Sequence, residues 1–422
     1  MKLGINSNEM QKVNRCLVLK LLMESSHMTR HELAAKTGLH KTTITNIINE
    51  FLEIGIITSN NDGKTVKRGE FLHFHSKNMY TVSVSINRKD FRICLYTLNG
   101  VPVSCSRRKI SVREDVHRIY HQLLEDIQNL IISIPDKNIF GICVGMPGPY
   151  LRRKHDIALV TGFEQLSLIN IPHMLAEALK IPVLSEHDAR LAAYAEWKAL
   201  EKAHGSTISS LVTLRSIGLG VGAGIVIEGQ MVRGQIGIAG EIGHMGVNFN
   251  ACRTIDASNG IYEYYSGTDS AIRYMQERLF EFPNTSLQES STYTEIVQAY
   301  KNKDPLATYA MEKLAWMLGY GLSSLIYLIN PDCIILGEDY PVYEPFLDKV
   351  KQALKNFVHP FILESLTIRF SGLEDDSILL GGYYMVLEQR FQENTLMDCI
   401  REALDEEENQ QNKLQAEEAG NL

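Results

Sequence analysis

Residues 217–244 read IGLGVGAGIVIEGQMVRGQIGIAGEIGH, and the fold turns on how this stretch is understood. Glycines stand at 218, 220, 222 and 224, with Val221 and Ile225 between or just after them. An apolar strand follows, then Gly229 in a turn, then Gly234, Gly237, Gly240 and Gly243. Glycine at this density lets backbone pass close to a ligand or another strand, and it permits positive φ at turns. The run ends on two polar side chains three residues apart, Glu241 and His244. Taken alone, the glycines also suit a hairpin that carries no chemistry.

Outward from this run, 422 residues are too many for one ordinary core, so two or three domains are expected. A hydrophobic content of 45% and a charged content of 22% are those of a soluble globular protein. No stretch approaches the roughly 20 apolar residues that span a bilayer, and the N-terminus lacks an export pattern, so a cytoplasmic protein without a membrane segment is expected. The seven cysteines (Cys16, Cys94, Cys105, Cys143, Cys252, Cys333, Cys399) form no C-x-x-C pair. They are expected to be reduced and mostly buried rather than a disulfide framework. Net charge is -8, yet residues 1–78 hold 11 Lys/Arg against 7 Asp/Glu, whereas residues 400–422 hold 2 against 7. A basic head on an acidic body points to an anionic partner for the head alone.

Within 1–78, Val13, Cys16, Leu17, Leu19, Leu21 and Leu22 recur at helical spacing. Thr29 followed by Glu32 forms a capping-box signature for a short second helix, which Gly38 closes. A third helix from about Lys41 to Ile54 buries Ile44, Ile47, Ile48 and Phe51. This is helix-turn-helix grammar. The front of the third helix offers His40, Lys41, Thr42, Thr43, Thr45 and Asn46 to base edges or phosphates. A hairpin follows with Lys64, Lys67 and Arg68 on its return, a wing suited to backbone contacts; Arg15 and Thr29 complete the candidate DNA-binding set. A three-helix bundle for protein contact is the alternative. One recognition helix reads few base pairs, so a dimer on a two-part duplex site is expected.

In 79–185, Tyr80–Ile86 and Phe91–Leu98 read as strands, Asn99-Gly100 as a hairpin turn, and roughly 116–132 as an amphipathic helix. The strand 139–145 ends in Met146-Pro147-Gly148-Pro149, and 181–184 is another strand. Beyond it, helices, of which that over 307–328 is long and apolar, alternate with the strands 334–336 and 366–370. A helix spans about 377–391.

Five segments together carry a family resemblance: 217–244, Val144-Gly145-Met146-Pro147-Gly148, Glu186-His187-Asp188-Ala189, 330–337 (NPDCIILG) and Leu379-Leu380-Gly381-Gly382. The chain resembles the ROK family of repressors, open reading frames and kinases over essentially its whole length. The resemblance implies an α/β fold: an N-terminal winged helix-turn-helix followed by a two-lobed, actin-like or sugar-kinase-like (RNase H-like) body. The expected division is 1–78 for the head, 79–185 for the first lobe, 186–395 for the second lobe with a helix returning to the first, and 396–422 for an acidic polar tail.

The resemblance also implies a sugar site. Asp188 matches the family kinases' general base, and Glu241, His244 and Glu263 match their other sugar contacts; His187 lies within the same motif. Two departures matter. Family kinases carry an Asp-x-Gly-Gly-Thr loop for the ATP phosphates, and Ser85-Ile86-Asn87-Arg88-Lys89 stands there instead. No kinase activity, no catalytic residue and no cofactor are therefore expected. The family's zinc cysteines align with Thr254, Asp256 and Ile261, with Cys252 off register, so no metal is expected. Phe163 also replaces a family Asn. The expectation is a sugar-responsive repressor: a homodimer or dimer of dimers that binds a double-stranded operator and answers to a sugar or sugar phosphate. The alternatives are a sugar kinase with a DNA-binding head, for which Asp188 speaks, and a regulator that answers to a protein.

Overall fold

The computed structural model describes residues 6–405 apart from 26, 61–70, 77, 135–137, 149, 152–155, 158–161, 205–207, 219, 249, 252–258, 338 and 374–376. Its strands are β1 (Met28–Thr29), β2 (Ile57–Asn60), β3 (Phe71–Phe74), β4 (Met79–Ile86), β5 (Asp90–Thr97), β6 (Pro102–Lys109), β7 (Asn138–Met146), β8 (Tyr150–Leu151), β9 (Asp156–Ile157), β10 (Val183–His187), β11 (Ser210–Ile217), β12 (Gly220–Ile227), β13 (Gln230–Met231), β14 (Cys333–Leu336) and β15 (Thr367–Phe370). Its α-helices are α1 (Ser7–Glu24), α2 (Arg30–Thr37), α3 (Lys41–Glu53), α4 (Val116–Ile132), α5 (Ile171–Leu179), α6 (Asp188–His204), α7 (Tyr262–Ser266), α8 (Thr268–Arg278), α9 (Tyr293–Lys301), α10 (Pro305–Ile329), α11 (Glu344–Leu354), α12 (Pro360–Ser365) and α13 (Ser377–Gln392). The chain forms two compact units, one of residues 1–144, 171–185 and 382–422, the other of 145–170 and 186–381.

The first unit begins with three helices and the small sheet β1-β3-β2. The Thr29 hydroxyl accepts from the Glu32 amide and Glu32 answers the Thr29 amide, so α2 starts on the capping box its sequence announced. Gly38 closes α2 at φ +71, a conformation that costs glycine little. Ile44, Ile47, Ile48 and Phe51 form the buried side of α3. The unit's larger sheet runs β10-β7-β4-β5-β6, with β4, β5 and β6 successively antiparallel. Helix α4 buries Val116, Ile119, Tyr120, Leu123, Ile127 and Leu130, and the Asp115 side chain accepts from the His117 and Arg118 amides at its start.

Two features of this unit differ from the sequence reading. Cys94 and Cys105 are register partners on β5 and β6, their Cα atoms 4.1 Å apart, and they are joined as a disulfide. They stand eleven positions apart along the chain, and only the hairpin pairing makes them neighbours. Residues 396–405, expected to open an acidic polar tail, are helical, with Leu396, Met397, Ile400 and Ala403 buried. That segment meets the head: Lys12 pairs with Asp398 at 2.7 Å, and Arg401 pairs with Glu50. The apolar spacing 396, 397, 400, 403 is helical, and it is hidden among Glu and Asn in the sequence.

The second unit is built on the sheet β13-β12-β11-β14-β15. β11 pairs antiparallel with β12 from Ser210↔Ile227 to Ile217↔Gly220, so the glycine-rich run is the second half of a hairpin. β14 is parallel to both β11 and β15. A Cβ on Gly224 would lie 2.1 Å from the Ala189 carbonyl oxygen and 2.4 Å from the Ala193 Cβ. The strand therefore needs glycine there so that α6 can press directly on backbone. A core of Val212, Leu214, Ala310, Leu314, Leu318 and Phe346, among others, fills the space around α10. Asp304 caps α10, accepting from Leu306 and Ala307, and Pro305 occupies its first turn.

Candidate functional site

The front of α3 presents Lys41, Thr42, Thr45 and Asn46 exposed and Thr43 half-buried. His40 is the N-cap; its Nδ1 lies 2.9 Å from the Thr42 hydroxyl. Arg30 braces α3 from α2, donating to the Thr45 carbonyl at 3.3 Å and to Asn49 Oδ1 at 3.0 Å. Asn49, one turn beyond Thr45 and also exposed, extends the polar front; the sequence reading missed it because it stopped at the helix start. Two expected DNA contacts are otherwise engaged. Arg15 Nε sits 2.9 Å from both Glu50 carboxylate oxygens, with only 23% of its side chain exposed, so its charge is neutralised inside the unit. The Thr29 hydroxyl is consumed by its capping box. Lys64, Lys67 and Arg68 lie outside the described residues.

In the second unit, Glu186, His187 and Asp188 stand in succession where the chain leaves β10 and enters α6. The turn after the glycine-rich hairpin supplies Glu241 and His244, and α7 supplies Glu263. A Cβ on Gly243 would fall 2.7 Å from Glu263 Oε2, so the small residue makes room for that carboxylate. His187 Nε2 is 3.2 Å from Asp188 Oδ1, and Nδ1 is 3.7 Å from Glu241 Oε1. Those last two atoms are buried, and neither has a hydrogen-bond partner among the described residues. Asp188 Oδ1 also takes the Ala189 amide at 2.6 Å, at the first residue of its helix.

Electrostatics divides these acids into two kinds. Burial pushes the Glu186 carboxyl up, but the Arg190 and Arg233 guanidiniums outweigh it and hold it at about 2. Burial raises Glu241 to about 7, Asp188 and Glu263 add to the push, and Arg190 opposes it. Burial pulls the His187 imidazole below its usual value, against the upward pull of Asp188. The structural anchor is Arg190, 1% exposed: Nε bonds Glu186 at 2.7 Å, and Nη1 bonds the carbonyls of Gly237 and Ala239 at 3.0 Å each. It ties the start of α6 to the loop that carries Glu241. Arg190 and Arg233 were missed from sequence, although an arginine inside the otherwise apolar run Ala189–Ala193 was a legible sign of a buried charge partner.

The remaining expected positions fall as follows. Phe163 is 1% exposed, so its ring is part of the core. Ile261 is buried and bridges Gly246. Cys252, Thr254 and Asp256 lie outside the described residues. Among the described residues no group of three or more His, Cys, Asp or Glu is arranged to hold a metal ion. None of the described helices is long and apolar enough to cross a membrane.

The family model for the ROK family matches residues 81–389. The chain belongs to the ROK family. Ahead of the ROK body, a winged helix-turn-helix DNA-binding model matches residues 14–58. The xylose repressor of Caldicellulosiruptor bescii is 24% identical over 404 residues, covering 90% of this chain and 97% of that protein. The xylose repressor of Bacillus subtilis is 23% identical over 387 residues, covering 90% and 96%. The ROK body also resembles a glucokinase of Halalkalibacterium halodurans, 27% identical over 272 residues, 60% of this chain and 77% of that one. Among solved structures, a ROK family transcriptional regulator described as a homolog of the E. coli MLC protein superposes with a TM-score of 0.78 at 20% identity, covering 93% of this chain and 99% of that one. A ROK family glucokinase from Streptomyces griseus superposes with a TM-score of 0.60 at 19% identity, covering 72% and 98%. The expected family and α/β fold class, winged head plus sugar-kinase-like body, are thereby borne out.

Proposed function

We propose that this chain is a DNA-binding repressor of carbohydrate-utilisation genes, and that a sugar or sugar phosphate seated at His187, Asp188, Glu241, His244 and Glu263 releases it from its operator. One observation carries the sugar reading. His187 Nδ1 and Glu241 Oε1 are buried, 3.7 Å apart and unbonded. A hydroxyl both donates and accepts, so it satisfies two such atoms at once. A site built this way rejects analogues that lack the hydroxyl, because the protein groups are then left unpaired. The relatives named xylose repressors put D-xylose at the head of the candidates.

The absence of kinase chemistry is supported by the turn between β4 and β5. Asn87 Oδ1 accepts from the Lys89 amide at 2.7 Å and the Asp90 amide at 3.0 Å, and the Asn87 amide donates to the Asp90 carbonyl at 2.9 Å. A phosphate cradle needs such amides free and aimed at the ligand. Here they are engaged in the turn itself.

On DNA, exposed Lys41, Thr42, Thr45 and Asn46 supply the reading face, and two copies on two half-sites supply the specificity one helix lacks. Release requires the sugar to bind the DNA-incompetent state more tightly, by a few kcal/mol for a useful shift. Such a regulator works in the cytoplasm. The test is fluorescence anisotropy on duplexes taken from beside the protein's own gene, with D-xylose, other pentoses, hexoses and their phosphates added in turn. Retention of a duplex and its release by one sugar is the expected result. Failure to retain any duplex refutes the repressor, and ATP-dependent phosphorylation of any sugar refutes the non-enzymatic part.

A further inference from the structure

Cys94 and Cys105 face each other across β5 and β6, the first buried, the second open to solvent. The other described cysteines are free thiols: Cys16, Cys143 and Cys333 are buried, and Cys399 is half-buried. Burial pushes the Cys16, Cys333 and Cys399 thiols above their usual value, which slows their reactions. Cys105 sits differently. Arg92 and Arg107 are register partners two residues from the cysteine pair, on the same face of the sheet. Cations beside a thiol favour the thiolate, the form that reacts. Asp90 holds Arg107 at 2.5 Å and offsets part of that charge.

The strand that carries Cys105 is lightly held. β6 is an edge of its five-stranded sheet, and six of its eight residues are exposed. Pro102 at its start has no amide to donate, and the pairing with β5 shifts register between Leu95 and Tyr96, just beyond Cys94. An exposed edge of this kind opens locally at low cost. Its hairpin end leans on α13: the Tyr96 and Tyr383 rings lie 5.6 Å apart, and the Tyr383 hydroxyl donates to the Leu98 carbonyl at 2.9 Å. On the same helix, Glu388 pairs with Lys20 of α1 at 3.3 Å. A cross-link in this hairpin therefore stiffens a segment that abuts the helix touching the head.

We propose that Cys94 and Cys105 are a reversible modification site: a dithiol that a peroxide closes and an external dithiol reopens, pinning and releasing β6. With Cα atoms 4.1 Å apart, closing needs no large movement of backbone. In the first step the Cys105 sulfur attacks one peroxide oxygen and the O–O bond breaks. One water leaves with the thiol proton, and Cys105 becomes a sulfenic acid. The Cys94 sulfur then displaces that hydroxyl, the S–S bond forms, and a second water leaves with the Cys94 proton. Two electrons and two protons have passed from the thiols to the peroxide. Reopening takes both from the external dithiol, which itself becomes a disulfide. Disulfides that form in reducing compartments are mostly of this transient, sensing kind. The site depends on neither the sugar nor the operator reading.

The full chain, reduced with dithiothreitol and then freed of it, tests the site. Stoichiometric hydrogen peroxide is expected to link Cys94 to Cys105 in peptide mapping while Cys16, Cys143 and Cys333 stay free. Dithiothreitol added to the folded protein should return both thiols. Amide exchange along β6 should slow at least about 10-fold when the bond closes. Cys94→Ser should halt Cys105 at the sulfenic acid, which dimedone traps, and Cys105→Ser should leave Cys94 unreacted. Cys105 is exposed, so Cys105→Ser should melt with the reduced wild type, which separates lost chemistry from misfolding. Cys94 and Cys105 still free after peroxide, a bond that dithiothreitol opens only in denaturant, or β6 exchange unchanged by closing overturns the proposal.

Discussion

Replacing Glu241 with Gln removes a charge at nearly constant shape, and the structure states what that charge costs. Burial, with Asp188 and Glu263, raises the Glu241 carboxyl from 4.5 to about 7. Between those values the folded chain keeps a proton that the unfolded chain has lost. This group's contribution to stability is therefore greatest below pH 4.5 and declines as pH rises through about 7, above which the full penalty is present. A difference of about 2.5 pK units is about 3 kcal/mol at roughly 1.4 kcal/mol per unit. The uncharged glutamine amide carries no such penalty at any pH. At pH 8 the Glu241→Gln protein should exceed the wild type by up to about 3 kcal/mol, or roughly 6–12 °C in the melting of a unit this size. At pH 5 the gap should shrink to about 1 kcal/mol. His187, which burial keeps neutral, loses stability in the opposite direction, as pH falls below its unfolded value. Above about pH 6.5 His187 is neutral in folded and unfolded chain alike, so the gap at pH 7 and 8 reads Glu241 alone. Glu186, held at about 2, changes only below pH 4.5 and stays outside the range. Differential scanning calorimetry of both proteins at pH 5, 6, 7 and 8 reads the effect. A gap between the two curves that stays constant with pH, or a variant less stable at pH 8, refutes the reasoning.

Three further outcomes are expected. Arg190→Ala leaves the buried Glu186 carboxylate with Arg233 as its remaining basic partner and frees two carbonyls, so it should cost about 3–5 kcal/mol in urea unfolding; a loss under 1 kcal/mol would show that the network is not an anchor. Gly224→Ala forces a Cβ to within 2.1 Å of the Ala189 carbonyl, so α6 must shift and stability should fall by about 1–3 kcal/mol or more, with calorimetric sugar binding weakened alongside; unchanged melting would contradict the close approach. Lys41→Ala should weaken operator binding on every duplex and lower the salt slope by about 1, whereas Asn46→Ala should change which duplex is preferred; identical behaviour of the two in a salt titration of anisotropy would remove them from separate roles.

Much of this was legible because it is local. The capping box of Thr29 and Glu32, the Gly38 closure and the apolar side of α3 each involve residues within one or two turns, and they appear where the spacing put them. The glycine-rich run was readable as a close-packed hairpin for the same reason, and β12 and Gly224 bear it out. Long-range pairings were not legible. Arg15 carries a positive charge in a basic head, and nothing near it in sequence says that Glu50, thirty-five residues on, neutralises it. Residues 396–405 looked like solvated tail because their charges are plain in the sequence, while the surface that buries Leu396 and Ile400 is assembled only in the fold.

The sequence alone determined the order of parts, a winged head before a ROK body, because periodicity, caps and glycine spacing are local constraints repeated along the chain. It also marked Asp188, Glu241 and Glu263 by their place in that pattern. Only tertiary structure decided what those acids are. Glu186 and Glu241 are the same residue type, yet one is held at about 2 by two guanidiniums and the other is lifted to about 7 by burial beside two more carboxylates. Desolvation and the distance to a neighbouring charge set that difference, and neither exists until strands and helices far apart in the chain have closed around the group.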